Sequence, residues 1–82
     1  MPSYDEILER LFIPLERLAR PGVELDGDTD LVRTLGLDST TLIDIILDVE
    51  DEFDISVPLN SLSDVQTAGE LATLIHRLTE EE

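Results

Sequence analysis

Three stretches of this chain repeat an apolar residue every three to four positions, and nothing in it sustains the two-residue alternation of a sheet. In residues 3–19, Ile7, Leu11, Leu15 and Leu18 share one side, with Leu8 and Phe12 beside them. In residues 39–53, steps of about 100° put Leu42, Ile46, Val49 and Phe53 on one stripe, with Ile45 at its edge. In residues 68–78, Leu71, Ala72, Leu74, Ile75 and Leu78 continue the pattern. Periodicity of this kind calls for helices that each bury one face. At 82 residues the chain is expected to form one domain, residues 1–82, ordered over about residues 3–78 with an acidic tail at 79–82. A chain this short buries only roughly 60–65% of its unfolded surface and has little room for a deep catalytic cleft. The predicted fold is all-α, a small bundle of three to four helices with a long first loop.

Local signals set the boundaries. Ser3 and Glu6 form a capping-box pattern at the start of the first helix, and Thr67 and Glu70 form another before the last. Pro14 lacks an amide donor and is expected to kink the first helix or divide it. Arg20-Pro21-Gly22 then stops it. Residues 23–37 read as a connection, polar at Asp26-Gly27-Asp28-Thr29-Asp30 and pinned by Val23, Leu25, Leu31 and Leu35. Such a length is unusual for a structureless loop in a compact domain, and one helical turn is expected near residues 30–34. Val57-Pro58 breaks the chain after the second helix. A short helix at residues 59–63 is expected to close the bundle through Leu59 and Leu62. Asp54-Ile55-Ser56-Val57 alternates, but over too few residues for a sheet.

The charge balance narrows the partners. Twenty acidic residues face five arginines and no lysine, a formal net charge of −15. Between Arg33 and Arg77 there is no basic residue except His76, while Asp38, Asp44, Asp48, Glu50, Asp51, Glu52, Asp54, Asp64 and Glu70 fall in that window. Such a surface repels nucleic acid and anionic lipid and attracts basic protein patches. The hydrophobic content of 41%, arranged periodically, argues against the disorder that acidity alone would suggest. No run is apolar enough to span a membrane, and no secretory signal precedes the first helix. With no cysteine either, the chain reads as cytoplasmic.

Few residues offer chemistry. His76 is the sole histidine, which excludes a site built on several histidines, and it reads as a surface residue. The aspartates of residues 26–30 superficially suggest a calcium loop. Counted from Asp26, however, the sixth and twelfth positions hold Leu31 and Leu37, where such a loop needs glycine and glutamate. A solvated turn fits better, and no metal site is expected. Ser39 follows Leu35-Gly36-Leu37-Asp38 where the connection turns into the second helix. With no general base close in sequence, its hydroxyl reads as an attachment point rather than a nucleophile. Asp38 or Ser39 also serves simply as a helix cap in the plainer reading. Ile43 and Leu47 lie one turn apart and off the core stripe, with Asp44, Asp48 and Asp51 on the opposite side from the core. They are either extra core or an apolar patch beside a wall of acid.

The order of these features resembles the acyl carrier protein family and its aminoacyl and peptidyl relatives. The resemblance runs through nearly the whole chain: an opening helix, a long loop, Leu35-Gly36-Leu37-Asp38-Ser39, then Glu50-Asp51-Glu52-Phe53-Asp54-Ile55 and Val57-Pro58. It implies that Ser39 carries a covalent 4′-phosphopantetheine derived from coenzyme A, with cargo held as a thioester on its thiol. It also implies that Asp38 helps a phosphopantetheinyl transferase recognise the loop. Asp44, Glu50 and Asp51 match the family's acidic partner-contacting positions, and Ile43 and Leu47 match its exposed apolar ones, which favours the surface reading of that pair. Asp48 shares the side of Asp44 and Asp51 and is expected to act with them. Thr40 departs from the family's commonest motif, which has leucine there. The expected protein is a monomeric, non-catalytic carrier that meets its transferase and acyl- or aminoacyl-loading and processing enzymes with basic patches. An unmodified acidic adaptor is the alternative from another class.

Overall fold

The computed structural model describes residues 2–19 and 21–80 and contains four helices. These are α1 (Tyr4–Leu18), α2 (Ser39–Phe53), α3 (Leu59–Leu62) and α4 (Ala68–Glu80). The protein is an all-α bundle. Among the described residues the only β feature is an isolated bridge between Asp30 and Thr67.

α1 begins where the cap predicts. Ser3 Oγ accepts the amide of Glu6 at 3.2 Å, and Asp5 and Glu6 place negative charge at the helix's positive end. Ile7, Leu11 and Leu15 are fully buried. α1 runs on through Pro14, so the expected division does not occur. Pro14 is half-buried at the edge of that stripe, whose packing holds the helix together across the Arg10 carbonyl that Pro14 deprives of a donor. Leu18, expected on the stripe, is exposed because the last turn overruns the core.

α4 packs along α1, its Leu71, Ala72 and Ile75 fully buried in one cluster with the α1 stripe. It continues to Glu80, past the expected end at Leu78, because Thr79 is buried with its hydroxyl donating to the His76 carbonyl at 2.7 Å. Glu80 also pairs with His76 one turn away, at 3.5 Å. Glu81 and Glu82, the end of the acidic tail, lie outside the described residues, as does Arg20 of the stop signal.

The long connection is ordered by α4. The amides of Ala68 and Gly69 donate to the carbonyls of Thr29 and Gly27 at 3.0 and 2.8 Å, and Leu31 donates to Gln66 at 2.9 Å. Thr67 Oγ1 accepts the Glu70 amide while Glu70 Oε1 accepts the Thr67 amide, a complete capping box. Every free amide at this helix start is therefore used within the protein. The approach requires Gly69: a Cβ there would stand 2.7 Å from the Gly27 carbonyl oxygen and 2.8 Å from the Tyr4 hydroxyl. The aspartates of the connection serve as turn acceptors. Asp26 Oδ1 takes the Asp28 amide, and Asp30 Oδ1 takes those of Val32 and Arg33.

α2 buries Ile45, Ile46 and Val49, with Leu42 and Phe53 half-buried at the two ends of the stripe. It stops at Asp54, which takes the left-handed conformation (φ 54°) that aspartate tolerates better than most residues. Ile55 and Val57 then both turn into the core, so the alternation of residues 54–57 is real but serves an unpaired extended segment. α3 forms as expected, yet Leu59 is 66% exposed and contributes no closure; Leu62 alone packs against the core. Pro58 sets Leu59 at the outer side of a helix too short to bury both residues.

Candidate attachment site and docking face

The approach to Ser39 is a single turn closed by a glycine. The Thr34 amide donates to Asp30, and the Gly36 amide donates to Val32 at 2.9 Å. Gly36 takes φ +67°, the left-handed cap that ends a helical turn without steric cost. The Leu37 amide folds back to the Leu31 carbonyl at 3.1 Å, and both leucines are buried. Two buried side chains and one left-handed glycine thus set the direction in which Asp38 and Ser39 leave the loop.

At the start of α2 the roles divide between neighbours. Asp38 is the cap: its Oδ1 accepts the Thr41 amide at 2.8 Å, and its carbonyl accepts the Leu42 amide at 3.0 Å. The Thr41 amide holds the Asp38 carboxyl below its ordinary pKa of 3.8. Ser39 is then the first helical residue, exposed, with its hydroxyl free of the capping task. The Ser39 amide has no hydrogen-bond partner among the described residues, and the Thr40 amide adds a minor stabilisation to the Asp38 carboxylate. The first turn of α2 holds no acidic residue, whereas those of α1 and α4 hold Asp5 and Glu6, and Glu70. Among the three long helices α2 alone has no acidic residue in its first turn, the cap Asp38 being the one carboxylate beside the exposed hydroxyl. That environment fits a phosphodiester, whose negative charge favours free amides and the positive end of the helix.

Along α2, Ile43 is 39% and Leu47 56% exposed, so the pair is surface and not additional core. Asp44, Asp48 and Asp51 are exposed beside them. Glu50 has a task that the sequence reading did not assign. It is half-buried, its carbonyl accepts the Ile55 amide at 3.1 Å, and its Oε2 accepts the Val57 amide at 2.8 Å. One glutamate therefore ties the end of α2 to the segment leading to α3. His76 lies at the far end of α4 beside Glu80. Among the described residues no group of three or more His, Cys, Asp or Glu is placed to hold a metal ion, and no helix is long and apolar enough to cross a membrane.

Comparison with known proteins places these features in a family of carriers. Residues 14–75 match the family model described as the phosphopantetheine attachment site. The chain is 38% identical over 74 residues to a protein of Caulobacter vibrioides named "Probable acyl carrier protein", covering 90% of this chain and 86% of that one. It is 30% identical over 78 residues to an acyl carrier protein of Thermotoga maritima, covering 94% of this chain and 96% of that one. A solved structure of a candidate acyl carrier protein from Mycobacterium tuberculosis superposes with a TM-score of 0.75 at 28% identity, over 87% of this chain and 96% of that one. The chain belongs to the acyl carrier protein family, whose cofactor is 4′-phosphopantetheine.

Proposed function

We propose that Ser39 carries the 4′-phosphopantetheine arm and that the protein holds acyl intermediates on it as thioesters, presenting them to enzymes that dock on α2. The observation that carries this reading is the exposed Ser39 hydroxyl at the first position of a long helix whose cap is Asp38 and whose first turn holds no acidic residue. When attached, the arm supplies the thiol that a chain without cysteine lacks. The protein's own residues bind and orient. Gly36 and Leu37 aim the loop, and the Ser39 amide receives the phosphate charge. Asp38, its carboxylate fixed by the Thr41 amide, offers the transferase and its magnesium ion a negative group at the hydroxyl's side. Exposed Asp44, Asp48 and Asp51 draw in basic enzyme surfaces, and Ile43 and Leu47 provide the apolar contact that sets residence time. The protein itself performs no catalysis and works in the cytoplasm. An acyl cargo is favoured over an aminoacyl one because the relatives above are named acyl carriers.

Incubation with a broad-specificity phosphopantetheinyl transferase, coenzyme A and magnesium should add the mass of one arm, and Ser39→Ala should add none. Intact mass measurement of protein from its native host reads the cargo in the same way. A chain that no transferase modifies, its host's own included, is an adaptor and not a carrier.

A further inference from the structure

Glu50 takes three backbone amides at the end of α2. Its carbonyl accepts those of Asp54 and Ile55, and its Oε2 accepts that of Val57 at 2.8 Å. The first two bonds finish the helix as a left-handed cap does. The third reaches past the cap and holds the extended segment that follows. The next fixed point along the chain is Gln66, whose carbonyl accepts the Leu31 amide at 2.9 Å. Among the described residues, the hydrogen bonds of residues 58–65 stay inside that segment. The Ser61 amide donates to Pro58, the Val65 amide to Leu62, and the Ser63 hydroxyl to Asn60. α3 buries no residue, and beyond Val57 only Leu62 and Val65, both half-buried, hold the segment to the core. Residues 55–63 carry no charge, so no ion pair supplements those contacts.

From this arrangement we infer that residues 57–65 form a panel that opens as one unit, with the Glu50 carboxylate as its latch. Opening breaks one hydrogen bond, at Val57, and withdraws the side chains of Val57, Leu62 and Val65. Every bond inside the panel survives. Ile55 stays with the α2 cap and Gln66 with the Leu31 amide, which places the two hinges. Few buried contacts and few bonds outward mark a segment that opens well short of global unfolding. α1 and α4 have the opposite character, with Ile7, Leu11, Leu15, Leu71 and Ile75 fully buried. The approach to Ser39 is held through Leu31 and Leu37 and not through the panel. One wall of the core therefore yields while the start of α2 keeps its place. Glu50 thereby differs from Asp44, Asp48 and Asp51: its half-buried carboxylate is committed within the protein, while theirs are exposed. The latch does not depend on an arm at Ser39.

The test is amide hydrogen exchange of the full chain, followed by NMR, with Glu50→Asp and Glu50→Gln beside the parent. Glu50→Asp keeps the charge and falls one methylene short of the Val57 amide. Glu50→Gln keeps the reach and an accepting oxygen and loses the charge. In the parent, the amides of Val57, Ser61 and Val65 should share one opening, faster than those of Ile55, Leu11 and Leu71. Glu50→Asp should speed those three roughly tenfold or more. Glu50→Gln should speed them by only about threefold, for the lost charge assistance. Leu11 and Leu71 should be unchanged in both. Exchange of the three at the rate of Leu11 and Leu71, or an equal acceleration of every amide in Glu50→Asp, means that the segment opens only with the whole fold and overturns the inference. A larger effect from Glu50→Gln than from Glu50→Asp makes charge and not the bond the operative property, and overturns it too. The parent's own pattern decides whether the panel exists even where a variant fails to fold.

Discussion

Asp38 ends the loop, caps α2 and stands beside the hydroxyl proposed to take the arm, so its ionisation bears on all three. The Thr41 amide stabilises the carboxylate, and the folded-state pKa lies below the unfolded one. The stability linked to that shift is fully present above the unfolded value, about 3.9. It is lost as the pH falls through the lower folded value. Carbon-detected titration should therefore place the Asp38 carboxyl below 3.8. Asp38→Asn should keep the cap, since asparagine caps as well as aspartate, and lose that acid dependence. Asp38→Ala should weaken the start of α2 at every pH. A midpoint at or above the ordinary value would mean that the Thr41 bond does not persist in solution.

At the scale of elements, α2 has an inner and an outer apolar face. Ile46 is buried and Ile43 is 39% exposed, so one substitution at two sites separates packing from docking. Ile46→Ala should cost about 2–5 kcal/mol, enough to lower the melting temperature of so small a domain by roughly 10 °C or more. Ile43→Ala should cost about 1–1.5 kcal/mol, on the transfer value of the part of the side chain that is covered. Thermal melts of the two variants check this, and equal losses would place Ile43 in the core. The helices and both caps were legible because period and cap chemistry are local properties. The exposure of Ile43 and Leu47 was not settled by period, which gives a side chain's direction but not how far neighbouring elements reach around a helix. Leu59 and Leu18 failed for the same reason. The role of Glu50 was hidden because its partner, Val57, lies beyond the end of the helix and shows only as an amide. Gly69 offered a faint signal, a glycine in the first turn of a helix, which often marks a close backbone approach. Nothing in sequence named Gly27 as its partner.

Over the whole molecule, charge repulsion opposes folding. The radius of gyration is 11.8 Å, against a Debye length of about 30 Å at 0.01 M salt and about 10 Å at 0.1 M. At the lower salt every acid feels most of the others; at the higher, only near neighbours count. Among the described residues one arginine–carboxylate pair offsets this, Arg10–Glu52, and it is largely exposed and weak. Raising salt across that range should add about 1 kcal/mol, or about 4–8 °C in melting temperature; a flat or falling profile would show that the acids are too dispersed to repel. The close approach of Gly69 to Gly27 has a bearing on how the molecule carries load. It rivets the long connection to α4 near its middle, leaving two short spans instead of one slack one. The second span, residues 32–38, ends at Ser39. If Ser39 bears the arm as proposed, a pull on a tethered cargo runs through a few residues into α4 and the α1 it packs against.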